Sequence, residues 1–175
     1  MAPPTVTLRG PRVVLRPGTE ADAPLLHAIR AEPEVVRWWR TPDPVAQLAA
    51  ELRGDGGEVQ FVVEVDGEVA GLVQYAEEDE PDYRHAGIDI FLSTRVHGRG
   101  IGTETVAVLA AYLVDERGHH RLTIDPAAAN TAAIRCYGKV GFRPVGLMRC
   151  YERGGDGTWH DGLLMDLLAA ELVRV

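Results

Sequence analysis

Only two of the 175 residues are cysteine, Cys136 and Cys150. That is too few for a disulfide framework and suits a reducing compartment. The longest apolar run, Val106–Val114, is nine residues and far short of a membrane span. The opening MAPPTVTLRG has no apolar h-region of the signal-peptide kind, so a cytoplasmic location and no membrane partner are expected. Positive charge is scarce: 18 Lys and Arg stand against 26 Asp and Glu, for a net charge of -8. Nucleic-acid affinity comes largely from neutralising phosphates, so that partner is not expected and a cationic one fits better. No repeat, low-complexity stretch or linker is visible, and a single domain over residues 1–175 is expected. Hydrophobic residues at 46% and charged residues at 25% are ordinary for a folded globular chain.

The periodicities predict a mixed α/β fold. Thr5–Leu8 and Val13–Arg16 read as a strand pair around Gly10–Pro11. Leu25, Leu26 and Ile29 give a helix stripe after Thr19, a predicted N-cap. Glu34–Trp39 reads as a further helical turn after Pro33. Asp43–Pro44 predicts a helix start with proline at its first position and an end near Gly54. Val59, Phe61, Val63 and Val65 alternate, with Val62 out of pattern. Asp66–Gly67 turns the chain, and Val69–Tyr75 returns. Ala86–Leu92 is a third strand of this sheet, and Gly100–Arg117 has helical spacing. Arg121–Asp125 is a strand, Asn130 caps a helix ending at Gly141, and Phe142–Cys150 and Trp159–Leu167 close the sheet. The order is not strictly alternating, which excludes a doubly wound parallel sheet.

The most specific local signal is RVHGRGIGTE, Arg95–Glu104, between a strand and a long helix. Gly98, Gly100 and Gly102 let backbone approach a phosphate at a helix N-terminus. A dinucleotide fingerprint would need a third glycine where Thr103 stands, and a P-loop would need a lysine. The remaining pattern, Gln/Arg-x-x-Gly-x-Gly, is met by Arg95, Gly98 and Gly100. It resembles the pyrophosphate loop of the GNAT N-acetyltransferases. A second segment, IDPAAANTAAIRCYGKVGF (Ile124–Phe142), is similar to the other signature of that superfamily. VVRWW (Val35–Trp39), GIDIFL (Gly87–Leu92) and DPAAANTAAIRCY (Asp125–Tyr137) resemble the aminoglycoside 6'-N-acetyltransferases in particular. The loop EEDEPDYRHA before the GID strand departs from their pattern.

This resemblance implies a GNAT fold, with a mostly antiparallel sheet flanked by helices, and transfer of acetyl from acetyl-CoA to a primary amine. The 6'-amine of an aminoglycoside is the implied acceptor. A polyamine, a siderophore precursor or a protein N-terminus is the alternative, and so is a non-catalytic acyl-CoA sensor. Either a monomer or a homodimer is compatible. Asp89 matches the base of the resistance enzymes, and Tyr137 is the natural acid toward the departing thiolate. A backbone N–H at Phe91 or Leu92 is implied for the oxyanion. The phosphates are implied to lie at Arg95, Gly98, Arg99, Gly100, Ile101, Gly102 and Thr103, and the pantetheine arm at Asn130, Ala133 and Tyr137. Arg135 and Lys139 are within reach of the adenosine phosphates. The acceptor is expected at Trp38, Gln74, Glu77, Glu78, Asp89 and Asp125, with Asp156 and Asp161 as further acids; of Trp38 and Trp39, one is expected in the core and one out. The run Glu77–Asp82 holds five acids, although a solvated hairpin loop looks the same. No metal is expected: His119–His120 lack ligand partners at metal spacing and read as a cap for a helix dipole.

Overall fold

Gly10–Pro11 breaks the first extended segment into β1 (Leu8–Arg9) and β2 (Val13–Pro17), antiparallel, with Leu8 opposite Leu15. They open a computed structural model that describes residues 4–175. Three short helices follow: α1 (Ala23–Arg30), α2 (Pro33–Val36) and α3 (Val45–Ala50). Pro33 sits in the first turn of α2, where its missing N–H costs nothing. The predicted cap at Asp43 does not form. Pro44 occupies the cap position, and the Asp43 carboxylate turns to Arg30 and Arg40 instead. The helix predicted to reach Gly54 loosens into a wider turn over Glu51–Asp55.

Next come β3 (Val59–Val65), β4 (Glu68–Glu78), β5 (His85–Leu92), α4 (Ile101–Asp115), β6 (Arg121–Ile124), α5 (Thr131–Val140), β7 (Arg143–Arg153) and β8 (Trp159–Leu168). The strands form one sheet in the order β1-β2-β3-β4-β5-β6-β8-β7, and every neighbouring pair but β5–β6 is antiparallel. Helices α1–α3 cover one face, packing Leu26 and Leu48 against Val62, Leu72 and Phe91 of the sheet. The other face packs α4 and α5 on Phe61, Val63, Val73, Ile88 and Leu122. Val62, out of pattern for a half-exposed strand, is explained by this second layer, because β3 is buried on both sides.

The Asn130 cap forms as expected: its Oδ1 accepts from the Ala133 N–H at 3.1 Å. Gly141 closes α5 at φ +114, where an added Cβ would lie 2.4 Å from the Glu171 carbonyl oxygen. β4 runs on through Glu78, so the acidic segment begins inside a strand. Among the described residues no helix is long and apolar enough to cross a membrane.

Candidate active site

β5 and β6 run parallel but pair only at Ala86–Leu122 and Gly87–Thr123. Beyond Gly87 they splay, leaving one edge of β5 without a neighbouring strand. Ladder parity tells which groups face the gap. The Ser93 N–H bonds to the Ala70 carbonyl, so Ser93, Phe91 and Asp89 turn their backbone groups toward β4. Ile90 and Leu92 therefore turn theirs into the gap. This corrects one of the two oxyanion donors expected: the Phe91 N–H belongs to the ladder and its ring to the core under α1, while Leu92 stays available.

Two cavities meet at the gap. One, of about 450 Å³, runs along Gly98, Gly100, Ile101, Gly102 and Thr103 at the start of α4 and along Arg135 and Lys139 of α5. The other, of about 710 Å³, is lined by Asp89, Asp125, Glu152, Trp39 and Trp159. Trp39, Ile90, Asn130, Ala133 and Tyr137 border both. Gly102 allows α4 and α5 to close on each other: a Cβ there would lie 3.2 Å from Cys136 Sγ. The Thr103 hydroxyl lies 3.3 Å from the same sulfur. Glu104, an acid in the first turn of α4, is aimed away from the loop. Its carboxylate is buried and accepts from the Val13 N–H at 3.0 Å and from Arg12 Nε at 2.8 Å. The N-terminus of α4 thus keeps its positive end unopposed for an anion.

Asp89 sits where the two cavities join. Its side chain is open to the cavity by area, yet protein atoms surround it on nearly every other side. Water reaches it in a confined pocket rather than as bulk solvent. That confinement, with the charge of Asp125 adding to it, pushes the carboxyl up to about 6. Gln74, opposite Asp89 on β4, offers it a hydrogen bond that pulls the other way; Gln74 Oε1 is itself held by Gln60 Nε2 at 3.0 Å. Glu152 is also raised, by burial and by Asp125. The Tyr151 phenol, hydrogen-bonded to Asp125, is pushed up to about 12. Burial holds the Tyr137 phenol well above its ordinary value, so it keeps its proton at neutral pH.

Several expected site residues lie elsewhere. The Glu77 carboxylate is buried and taken by Arg117 Nη2 at 2.9 Å and His119 Nε2 at 2.7 Å. Glu78 accepts from the Glu80 N–H, and neither acid lines the cavity. His119 is buried beside Glu77 rather than capping a dipole. Arg95 bonds the Val69 carbonyl at 2.7 Å and pairs with Glu68, Arg99 lies 3.9 Å from Asp66 in a loose exposed pair, and neither lines the smaller cavity. Trp38, with Arg37 over its ring at 4.8 Å, lines the donor side and not the acceptor side. Trp39 takes the acceptor-side place, and both indoles are half-buried, so the expected split of one in and one out is not met. Gln74 supports Asp89 from behind without lining the cavity. Asp156 holds Thr158 and His160, and Asp161 receives the Cys150 N–H. Sequence reasoning missed Glu152, Tyr151, Trp159 and His97. The first three come from a hairpin whose register shifts between Met148 and Glu152, so strand alternation gives no cue to their facing.

A channel along the glycine loop that ends on a splayed strand, beside an acidic pocket, agrees with the family suggested by the loop. The acetyltransferase (GNAT) domain family matches residues 12–143. The chain belongs to the GNAT acetyltransferases. Its relatives include aminoglycoside N(6')-acetyltransferase type 1 of Klebsiella pneumoniae, 28% identical over 176 residues, covering 90% of this chain and 82% of that protein. Spermidine N(1)-acetyltransferase of Escherichia coli (strain K12) is 30% identical over 140 residues, 77% of this chain and 74% of that one. Among solved structures, Mycobacterium smegmatis RimJ in complex with CoA-disulfide superposes with a TM-score of 0.83 at 27% identity, over 97% of this chain and 88% of that one. GNAT enzymes take acetyl from acetyl-CoA, and relatives as different as these use different amines, so membership gives the reaction and leaves the acceptor to be argued.

Proposed function

We propose that this GNAT domain acetylates a polycationic small molecule, the 6'-amine of an aminoglycoside. The observation that carries the reading is the acceptor cavity: Asp89, Asp125 and Glu152 line it together with the indoles of Trp39 and Trp159. Carboxylates attract several ammonium groups at once, and flat aromatic faces suit sugar rings. The aminoglycoside-modifying relative, similar along 90% of this chain, supports the same acceptor.

The chemistry follows from the groups at the seam. The acceptor arrives as an ammonium, and Asp89, whose carboxyl sits at about 6, accepts its proton at neutral pH. The free amine then attacks the thioester carbonyl carbon. Outward N–H groups of the splayed β5 edge stabilise the charge that develops on the carbonyl oxygen. The C–N bond forms and the C–S bond breaks, leaving the electron pair on sulfur. Tyr137 gives its phenol proton to the sulfur and regains one from the nitrogen as that becomes an amide. With the phenol raised above its ordinary value, this works only while the sulfur is in hydrogen-bond contact. Gly98–Thr103 hold the pyrophosphate through backbone N–H groups. Arg135 and Lys139 supply the positive charge on that side, and Asn130 and Ala133 border the pantetheine arm.

Spermidine is the second reading, favoured by the 30% identical relative. Purified protein should release thiol from acetyl-CoA with 6'-amino aminoglycosides and not with their 6'-hydroxy counterparts. Turnover with spermidine alone would move the assignment to the polyamine.

A further inference from the structure

The glycine loop assigned to the donor pyrophosphate is gripped from outside the smaller cavity. The β1–β2 turn lies close against α4 because Gly10 carries no side chain: an added Cβ there would lie 2.8 Å from Val108 and 2.9 Å from Glu104 Oε1. The turn brings Arg12 to the loop. Its Nε donates to Glu104 Oε2 at 2.8 Å, and its Nη1 donates to the Arg99 carbonyl at 2.8 Å. Glu104 Oε1 accepts from the N–H groups of Arg12 and Val13, so one buried carboxylate fixes both the hairpin and the guanidinium. We propose that Arg12 and Glu104 are positioning residues for the acyl donor, together turning the Arg99–Gly100 peptide so that the Gly100 N–H faces the pyrophosphate. The proposal rests on the donor reading of Gly98–Thr103 and is independent of which amine is the acceptor.

A trans peptide points its C=O and its N–H in opposite directions, and no cis peptide occurs among the described residues. Gly100 lines the smaller cavity and Arg12 does not. Drawing the Arg99 carbonyl to Arg12 therefore sends the N–H of the same peptide unit, that of Gly100, toward the cavity side. No backbone carbonyl takes that N–H among the described residues. Gly100 itself permits the arrangement: its φ is +77, and a Cβ would lie 3.3 Å from Arg12 Nη2. The next carbonyl along, that of Gly100, accepts from the Glu104 N–H at 3.1 Å. Glu104 thus holds two successive peptides, one through its backbone and one through Arg12. A buried carboxylate in the first turn of α4 would by itself oppose a phosphate bound there, and the Arg12 guanidinium offsets that charge. Half of the Arg12 side chain is exposed, so shortening it opens no cavity in the core.

The test compares donors that carry the pyrophosphate with one that lacks it. Arg12→Met keeps an aliphatic stem and removes the side-chain donors. It should raise the Kd for acetyl-CoA about tenfold by calorimetry, with kcat at saturating donor within about twofold of the parent. The 3'-dephospho form of acetyl-CoA keeps the pyrophosphate and should show the same loss. S-Acetylpantetheine lacks it, and its kcat/KM should agree within about twofold between parent and variant. Arg12→Lys keeps the charge beside Glu104 but loses the fork that reaches two acceptors, so most of the loss should remain. Should Arg12→Met fail to fold, Arg12→Lys reads the same contact. Equal losses with acetyl-CoA and S-acetylpantetheine would make the pair structural and overturn the proposal. Full recovery of acetyl-CoA affinity in Arg12→Lys would reduce Arg12 to a nearby charge and overturn it as well. A failure of the donor reading itself would show in the parent, which would then use acetyl-CoA no better than S-acetylpantetheine.

Discussion

Replacing Asp89 by asparagine should cripple turnover and stabilise the fold at the same time. The carboxyl is raised from 3.8 to about 6 in the folded protein by confinement and by the charge of Asp125. An acid whose folded value is raised binds more protons folded than unfolded between those two values. Stability therefore falls as pH rises through the window from about 4 to about 6, and Asp89 exerts its full cost above it. At 1.36 kcal/mol per unit the shift would correspond to about 3 kcal/mol for a fully enclosed group, and opening to cavity water discounts it to about 1 kcal/mol. The uncharged asparagine carries no such cost, keeps the shape and can still meet Gln74. Thermal melts of D89N and the parent, taken from pH 4 to pH 8, should coincide at the acid end. They should then diverge by a few degrees in favour of D89N above pH 6. Over the same range kcat/KM of the parent should rise with an inflection near 6. The ratio of parent to variant should grow to about a hundredfold at pH 7.5, where the carboxylate is ionised. A variant less stable than the parent at pH 7.5 would refute the confinement argument. A rate ratio independent of pH would refute the base assignment.

Three other substitutions separate acceptor, donor and scaffold. Glu152→Gln should raise KM for a polycationic acceptor about tenfold with a smaller change in kcat, and the penalty should shrink as salt is added. Tyr137→Phe should lower kcat about tenfold or more while the Kd for acetyl-CoA, read by calorimetry, changes less than twofold; equal losses would make the tyrosine structural. Glu77→Gln should cost about 1–2 kcal/mol in denaturant unfolding by weakening the buried bonds to Arg117 and His119, and should leave acceptor KM unchanged.

Much of the fold was legible because each signal had a local cause. Period-two alternation marked β3, the Asp66–Gly67 turn marked its return in β4, Asn130 and Gly141 marked the ends of α5, and the glycines marked the loop before α4. Asp89, Tyr137 and Asn130 were named from motif residues that lie near one another along β5 and α5, and all three line the larger cavity. What escaped depended on distant parts of the chain. Glu77 looked like part of an acidic loop because nothing local reveals that β4 carries it to Arg117 and His119, forty residues on. Arg95 and Arg99 looked free for phosphate because their partners, Glu68 and Asp66, belong to the preceding hairpin. Glu152 and Trp159 reach the cavity only through the register shifts of β7, which period-two reasoning cannot follow. The choice between Trp38 and Trp39 turned on Arg30 and Phe91, which meet the Trp39 ring from α1 and from β5.

Acetylation of a 6'-amine is tested most directly by thiol release from acetyl-CoA by the purified protein against matched acceptors. These are a 6'-amino aminoglycoside, its 6'-hydroxy counterpart, spermidine and a short peptide with a free N-terminus. Rapid turnover is expected with the 6'-amino drug and none above background with the 6'-hydroxy one. Turnover confined to the peptide, or equal turnover with both drugs, would contradict it.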